Sequence, residues 1–200
     1  MKTVVVGSHN AGKVAELRAL LAGVNVRVET MDAYPDVPEV VEDGSTLEEN
    51  AVKKARGAHE ATGLAAIADD SGLEVFGLGM QPGVYSARYA GERVSYADNN
   101  AKLLVAMAQL PRELRGARFR CVLAYVERDV VRTFEGICPG TIAEAVTGTH
   151  GFGYDPLFIP DGFTQTFAEL SVEVKNSLSH RARAFSLLKT FLLNRYGPKV

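Results

Sequence analysis

The sequence predicts a mixed α/β fold, with a central sheet flanked by helices in a single domain that spans residues 1–200. Two observations carry this prediction: a strand, loop and helix at the amino terminus, and an alternating hairpin pattern in the second half. A chain of 200 residues with 46% hydrophobic content is long enough to bury a proper core. The glycine-rich middle leaves a second arrangement open, in which two lobes enclose an active-site cleft.

The amino-terminal segment is predicted to form a strand, a glycine-bearing loop and a helix. Residues 3–6 are β-branched and end at Gly7, and apolar residues then recur at helical spacing over residues 14–21. The spacing from Gly7 to Lys13 is that of a loop that presents backbone N–H groups and a lysine to phosphate. Val14 stands where such a loop needs Ser or Thr for magnesium, so we expect this loop to hold phosphate but not the metal. An ordinary strand-to-helix turn is the alternative.

The metal is therefore expected at the paired carboxylates of Asp69 and Asp70. We predict a helix that begins with a capping box at Thr46, then a short strand over residues 64–68 that ends at these two acids. Magnesium prefers carboxylate oxygen, and adjacent strand side chains point to opposite faces, so only one of the pair is expected to enter a site. A plain Asp-Ser-Gly turn is the alternative.

Lys54 is predicted to face inward beside a stripe of alanines, and a snorkelling surface lysine is the alternative.

The second half is predicted to contain a long loop, a helix and a hairpin. Glycines mark the loop over residues 77–91, and Asp98 is expected to cap the helix that follows it. Apolar residues alternate over residues 119–125, and an Arg-Asp turn then leads into a second strand over residues 130–137. The last helix is amphipathic and is expected to turn four apolar residues inward: Leu187, Leu188, Phe191 and Leu192.

Aromatic and cationic residues near the carboxy terminus are candidates for nucleotide recognition. Phe152 lies between two glycines, where the backbone can bring a ring face against a flat base, and a core aromatic is the alternative. Lys175, His180, Arg181 and Arg183 crowd around the start of the last helix, where the helix dipole disfavours cations. A polyanionic ligand would offset that conflict, whereas solvated surface cations are the alternative.

Composition and charge exclude several classes of partner. Lys and Arg number 22 against 24 Asp and Glu, so a net charge of -2 gives no general attraction to nucleic acid or to an anionic membrane. Cys121 and Cys138 lie in apolar, strand-like surroundings and are predicted to be reduced core thiols. The first apolar run is too short for a signal peptide core or a membrane span, which favours a cytoplasmic protein.

Six segments, in order along nearly the whole chain, are similar to those of the inosine/xanthosine triphosphate pyrophosphatase family, the HAM1-like enzymes. They are GSHNAGK from Gly7, Glu49-Asn50-Ala51 followed by Lys54-Ala55, DDSGLEV from Asp69, PGVYSARYAG from Pro82, GFGYDPLF from Gly151 and AELSVEVKNSLSHR from Ala168. The resemblance implies an elongated mixed α/β fold with two lobes around a cleft, and a homodimer. It also implies magnesium-dependent hydrolysis of ITP, dITP and XTP to the nucleoside monophosphate and pyrophosphate.

The resemblance also implies roles for individual residues. Asp70 would be the catalytic acidic residue and a metal ligand. Many family members carry two acids just before the glycine that matches Gly44, the first of them a metal ligand. Here Val41 stands at that first position, and Glu42 behind it is the candidate ligand. Together with Lys54, the expected substrate-binding residues are Ser8, His9, Asn10, Ala11, Gly12, Lys13, Ser71, Phe152, Gly153, Tyr154, Asp155, Lys175, His180 and Arg181.

Two other functions remain open on the sequence. A Maf-like nucleotide pyrophosphatase would share the chemistry but prefer modified or pyrimidine nucleotides. A non-catalytic nucleotide sensor would bind the same ligands without turnover.

Overall fold

The structure, a computed structural model, describes residues 1–8 and 11–199, without the side chains of residues 11, 12, 15 and 16. In these residues the chain forms six β-strands and five α-helices. The strands are β1 (Lys2–Val6), β2 (Val26–Thr30), β3 (Ala65–Val75), β4 (Gly116–Glu127), β5 (Val130–Ile142) and β6 (Phe158–Pro160). The helices are α1 (Ala11–Leu20), α2 (Leu47–Thr62), α3 (Tyr96–Met107), α4 (Val172–Leu178) and α5 (His180–Tyr196).

All six strands form one mixed sheet, in the order β2-β1-β3-β4-β5-β6. β1 pairs in parallel with β2 and with β3, whereas β5 and β6 pair antiparallel. β4 and β5 are neighbours joined by two residues, of which Arg128 has a φ of 52°. So short a connection requires an antiparallel hairpin. The predicted α/β class, with a mixed central sheet flanked by helices, is confirmed.

The chain divides into two compact units, each assembled from separate stretches of sequence. The first unit contains Met1–Asp70, Cys121–Gly136 and the residues from Arg183 onward, and the second contains Ser71–Arg120 and Ile137–Ala182. β3, β4 and β5 therefore each contribute residues to both units. That residues 1–200 form one domain stays a prediction.

The first unit buries both faces of its strands, because successive strand residues point to opposite sides. One face packs against α1 and α5, and its buried side chains include Val4, Val6, Leu17, Ile67 and Leu188. The other face packs against α2, and its buried side chains are Val5, Met31, Ala58 and Ala66. Leu188 and Leu192 of α5 are buried as predicted, but Leu187 is 52% exposed, so its predicted inward position is wrong. At helical spacing, Leu187 lies about 100° around the helix from Leu188.

The second unit has its own core, formed by β3, β4 and β6 with α3. Its buried side chains include Leu73, Leu103, Met107, Phe119, Phe158 and Phe167. α3 begins one turn earlier than Asp98 predicts, because Ser95 is the N-cap and accepts a hydrogen bond from the Asp98 amide. The Asp98 carboxylate in turn accepts from the Ser95 amide, which completes a capping box. The prediction that Asp98 itself caps the helix is wrong.

β3 is longer than the sequence predicts. It continues through Asp69 and Asp70 to Val75, so these acids lie inside a strand rather than at its end, and the alternative of a turn is also wrong. Gly72 lies inside this strand and not in a turn. A Cβ at this position would lie 2.4 Å from the carbonyl oxygen of Gly83. The glycine is explained by the close approach of another backbone segment.

Within residues 1–8 and 11–199, no helix is long and apolar enough to cross a membrane. Cys121 and Cys138 are both buried, on β4 and β5.

Candidate active site

The two acids in the middle of β3 each face a lysine from a different helix. Asp69 and Asp70 are both buried. The Asp69 carboxylate lies 2.8 Å from Nζ of Lys13, in the first turn of α1, and the Asp70 carboxylate lies 3.4 Å from Nζ of Lys54, on α2. Alternation along β3 explains the division of partners, since consecutive side chains leave opposite faces of the strand. Both acids of the pair therefore take part in ion pairs with lysines. That only one of them enters a substrate or metal site stays a prediction.

Lys54 lies inward, as the alanine stripe predicts, and is the centre of this cluster. Its side chain is 12% exposed, and Nζ donates to Glu42 Oε1 at 2.8 Å and to Asp70 Oδ1 at 3.4 Å. Burial lowers the pKa of Lys54, but the carboxylates of Asp70, Asp69 and Glu42 raise the pKa by more, so the net shift is upward. The side chain is therefore an ammonium at neutral pH. We call Lys13, Glu42, Lys54, Asp69 and Asp70 the carboxylate–lysine cluster.

Asp70 is an unusual carboxyl group within this cluster. Burial raises its pKa above the ordinary value, and the nearby Glu42 carboxylate adds to the rise. The Lys54 ammonium, the Asn50 side chain and the Lys13 ammonium oppose the rise without cancelling it. A carboxylate whose proton affinity is increased in this way is a better proton acceptor than a solvated one.

The segment before α2 contributes Glu42, and not its neighbour Val41. Val41 is 69% exposed, whereas Glu42 shares the Lys54 ammonium with Asp70. Glu42 is thus the acid of this segment that reaches the cluster.

Asn50 contacts Asp70 as well, a role that the sequence analysis did not assign to it. It is fully buried on α2, its Nδ2 donates to Asp70 Oδ2 at 3.1 Å, and its Oδ1 accepts from the Gly44 amide at 2.8 Å. The available signal was its position one helical turn before Lys54, which places both side chains on one face of α2.

A cavity of about 210 Å³ lies beside the cluster in the first unit. Its polar wall is formed by Ser8, Lys13, Glu42 and Lys54, and its apolar wall includes Met31, Val37 and Pro38. Gly7 is also part of the wall, where a Cβ would meet Ala58, Ala68 and the Lys54 carbonyl oxygen at 3.3 Å. The cavity is therefore lined by two lysines and by two acids, Glu39 and Glu42. Lysines can pair with phosphate oxygens, and carboxylates can supply oxygen ligands to a metal that binds with the phosphate.

The predicted phosphate loop is described only in part. His9 and Asn10 lie outside the described residues, and Ala11 and Gly12 fall in the first turn of α1. Val14 is buried in the core of the first unit. Its side chain thus supplies no oxygen for a metal. That the loop holds phosphate and no metal stays a prediction.

The predicted segment from Phe152 to Asp155 is held in the second unit by hydrogen bonds that are buried or partly buried. The Asp155 carboxylate is buried, accepts from the Phe152 amide at 2.8 Å, and pairs with Lys175 Nζ at 2.5 Å. Gly151 has a φ of +77°, and a Cβ there would lie 2.1 Å from the same carboxylate. Asp155 is therefore the anchor of this turn, and only glycine fits at 151.

The neighbours Gly153 and Tyr154 are anchored in the same way. The Gly153 carbonyl accepts from Asn100 Nδ2 at 3.0 Å, and the buried Tyr154 hydroxyl donates to the Ser86 carbonyl at 2.9 Å. Burial raises the pKa of Tyr154, so its hydroxyl stays protonated. The segment thus presents one side chain outward, Phe152, which is 36% exposed.

Phe152 is surrounded by cations and by a second aromatic ring. Arg181 Cζ lies 4.9 Å and Lys175 Nζ 5.1 Å from the ring centroid, and the Tyr96 ring lies 6.1 Å away at 39°. We call Tyr96, Phe152, Lys175 and Arg181 the aromatic–cation cluster. His180 lies deeper, buried and stacked on Phe119 at 4.7 Å. Tyr96 was not selected from the sequence, since no pattern marked the start of α3 as close to residue 152.

The predicted site residues thus form two groups, one in each unit. Ser8, Lys13, Lys54, Glu42 and Asp70 belong to the first unit, whereas Phe152, Asp155, Lys175, His180 and Arg181 belong to the second. Ser71 follows Asp70 on β3 and is partly exposed.

Glu42 and Asp70 are chemically suited to a magnesium ion. Both carboxylates already face one cation, the Lys54 ammonium, and magnesium commonly takes one or two carboxylates with substrate phosphates and waters. Among residues 1–8 and 11–199, no group of three or more His, Cys, Asp or Glu side chains is arranged to hold a metal. Phosphate oxygens of a substrate would therefore have to complete such a site.

Comparison with known proteins shows the family of this chain. The model of the Ham1 family matches residues 4–191. The dITP/XTP pyrophosphatase of Geobacter sulfurreducens is 50% identical over 193 residues, which cover 96% of this chain and 97% of that protein. The dITP/XTP pyrophosphatase of Desulforamulus reducens is 48% identical over 194 residues, which cover 96% of each.

Solved structures give the same result. A HAM1 protein from Coxiella burnetii matches with a TM-score of 0.92 at 39% identity, over 97% of this chain and 100% of that one. The Ham1 protein of Staphylococcus aureus matches with a TM-score of 0.90 at 40% identity, over the same shares of each chain. The protein described here belongs to the Ham1 family.

Proposed function

We propose that this protein is a pyrophosphatase of non-standard purine nucleoside triphosphates, which hydrolyses ITP, dITP and XTP to the monophosphate and pyrophosphate. The observation that carries the proposal is the carboxylate–lysine cluster beside the cavity in the first unit. Two lysines supply positive charge for a triphosphate, and two carboxylates supply oxygen ligands for a metal. The names of the two curated relatives support the choice of substrate.

The chemistry proposed for this chain centres on Asp70. Its carboxylate orients the attacking water toward the α-phosphorus and accepts a proton from it, and the raised proton affinity of Asp70 favours that transfer. Lys13 and Lys54 neutralise charge on the phosphate oxygens as pyrophosphate leaves. Magnesium held by Asp70 and Glu42 would add charge neutralisation of the same kind. Preorganised electrostatics of this sort account for most of the catalysis of phosphoryl transfer.

The aromatic–cation cluster is proposed to select the base. Phe152 offers a ring face for stacking, and the Arg181 guanidinium beside it can donate to the 6-oxo group of hypoxanthine or xanthine. Adenine carries an amino group at that position, which would leave the donors unpaired. A site of this kind can reject the wrong base by roughly 10⁴-fold. Guanine shares the 6-oxo group, so its rejection must depend on contacts at the 2-amino group.

The same proposal includes three further properties. The family resemblance implies magnesium as the metal and a homodimer as the assembly, and the short first apolar run favours the cytoplasm as the location. Size-exclusion chromatography with light scattering tests the assembly directly. A homodimer would have twice the 21.5 kDa mass of the chain.

The decisive experiment measures pyrophosphate and monophosphate release from ITP, dITP, XTP, GTP and ATP, with magnesium and with EDTA. We expect kcat/KM for ITP, dITP and XTP to exceed that for ATP and GTP by orders of magnitude. Equal rates on all five would contradict selection of non-standard purines. The same assay with modified pyrimidine nucleoside triphosphates distinguishes a Maf-like activity, which would prefer them. Tight binding without any turnover would indicate a nucleotide sensor.

A further inference from the structure

The fully buried side chain of Asn50 joins two parts of the carboxylate–lysine cluster that are distant in sequence. Its amide contacts the backbone of Gly44, two residues after Glu42, and the carboxylate of Asp70 on β3. One helical turn later on α2, Lys54 contacts Glu42 and Asp70 themselves. The segment that carries Glu42 and the strand that carries Asp70 are thus connected at two successive turns of α2.

The chemistry of the two contacts calls for a short amide at position 50. A backbone N–H can only donate, so Gly44 requires an acceptor, and an ionised carboxylate can only accept, so Asp70 requires a donor. An asparagine offers both on one rigid group, with Oδ1 2.8 Å from the Gly44 nitrogen and Nδ2 3.1 Å from Asp70 Oδ2. Aspartate would satisfy Gly44 but place a second carboxylate against Asp70, and leucine would satisfy neither.

Gly44 provides an independent observation that this contact is close. A Cβ at residue 44 would lie 2.5 Å from Asn50 Oδ1 and 2.9 Å from the Cβ of Glu49. Such distances are too short for real atoms, so a side chain at 44 would displace the Asn50 amide. Ser45 is also fixed, since its amide and its hydroxyl both donate to the Glu49 carboxylate at 2.7 Å. The segment behind Glu42 is therefore held by two consecutive residues of α2.

We propose that Asn50 is a positioning residue for hydrolysis, which holds the Asp70 carboxylate in register with the segment that carries Glu42. Asn50 itself needs no contact with substrate for this role. The proposal rests on the proposed function and specifies how its central carboxylate is oriented. Displacing a reacting group by about 1 Å can reduce turnover by about 100-fold, so the loss of this link is expected to affect kcat.

The test compares Asn50→Leu and Asn50→Asp with wild type in steady-state ITP hydrolysis at saturating magnesium, with Tm measured for each protein. Both variants lack the donor to Asp70, and Asn50→Asp retains the acceptor for Gly44. We expect kcat to fall by about 100-fold in each. In Asn50→Leu, which adds no charge, KM should change by less than about threefold, because the lysines that bind phosphate remain in place.

Asn99→Asp is the matched control for the cost of altering a buried asparagine. Asn99 is buried at the start of α3, its Oδ1 accepts from the Ala90 amide at 2.7 Å, and its Nδ2 donates to the Ala87 carbonyl at 3.1 Å. This variant also loses one donor and should lower Tm, but its kcat should stay within about threefold of wild type.

Gly44→Ala tests the same link without changing any polar group, and it decides the question if the Asn50 variants do not fold. It should lower kcat by about tenfold or more through displacement of the Asn50 amide. Suppose that the wild type is active and that Asn50→Leu or Gly44→Ala keeps kcat within about threefold of it. That result would overturn the positioning role of Asn50 but not the proposed function. A wild type that releases no pyrophosphate from any triphosphate would instead overturn the proposed function, and the positioning role with it.

Discussion

Replacing Asp70 with asparagine is expected to abolish turnover while leaving the fold as stable as wild type, or more stable, at neutral pH. The amide has the shape of a protonated carboxyl group but can neither accept a proton nor bind a metal as an anion does. Loss of a positioned general base commonly lowers kcat by about 10²- to 10⁴-fold. We therefore expect Asp70→Asn to lose at least about 100-fold in kcat for ITP.

The effect on stability follows from the direction of the pKa shift. Because burial raises the pKa of Asp70 in the folded protein, the folded state binds this proton more tightly than the unfolded state does. Binding of this proton adds to the free energy of unfolding. The contribution is fully present below the pKa that Asp70 has in the unfolded chain, and it is lost as pH rises through the pKa that Asp70 has in the folded protein. At neutral pH the wild type has lost this contribution, whereas Asp70→Asn, which mimics the protonated form, retains it. We therefore expect Asp70→Asn to have the higher Tm at neutral pH.

Two measurements check this prediction, one of stability without added metal and one of turnover with magnesium. Differential scanning calorimetry of wild type and Asp70→Asn at pH 7.5 and at pH 4 should show a Tm advantage for the variant that shrinks as pH falls. Pyrophosphate release at saturating magnesium should show the loss of turnover. A variant that melts several degrees below wild type at pH 7.5 would contradict the assigned direction of the pKa shift, and wild-type turnover would exclude Asp70 as the catalytic residue.

Three further predictions concern the base, the loop and the metal. Phe152→Ala should lower kcat/KM for ITP by roughly 5- to 150-fold, since stacking of a base on an aromatic side chain contributes about 1–3 kcal/mol; an unchanged kcat/KM would show that the base does not stack there. Val14→Thr restores the hydroxyl of a P-loop pattern, but it should only lower the free energy of unfolding, by about 1–3 kcal/mol, because the hydroxyl would be buried in an apolar core. A changed magnesium dependence in this variant would contradict the core position of residue 14. Removal of divalent metal with EDTA should stop pyrophosphate release and change Tm by less than about 2 °C, since both carboxylates are paired with Lys54 without a metal. A large fall in Tm would indicate a structural metal instead.

Local patterns in the sequence predict much of the fold, because side-chain alternation and helix capping depend on residues that are close together in the chain. The alternation over residues 119–125 predicts β4, and the capping box at Thr46 predicts the start of α2, where Thr46 does accept from the Glu49 amide. The same reasoning fails at β3, where a run that looks like a turn continues as a strand. A strand with pairing partners on both sides tolerates polar and glycine residues that would end an isolated one.

The sequence by itself predicted the α/β class, which the structure confirms. It also led to two expectations that stay predictions, namely that the first loop holds phosphate and that Val14 removes this loop as the metal site. Each of these depends on residue type and spacing along one short stretch of chain. Only the tertiary structure decided that both acids of the pair face lysines, that Glu42 rather than Val41 reaches Lys54, and that Asn50 links Gly44 to Asp70. These contacts join residues between 6 and 56 positions apart, and the packing of helices on the sheet, which no local pattern records, brings them together.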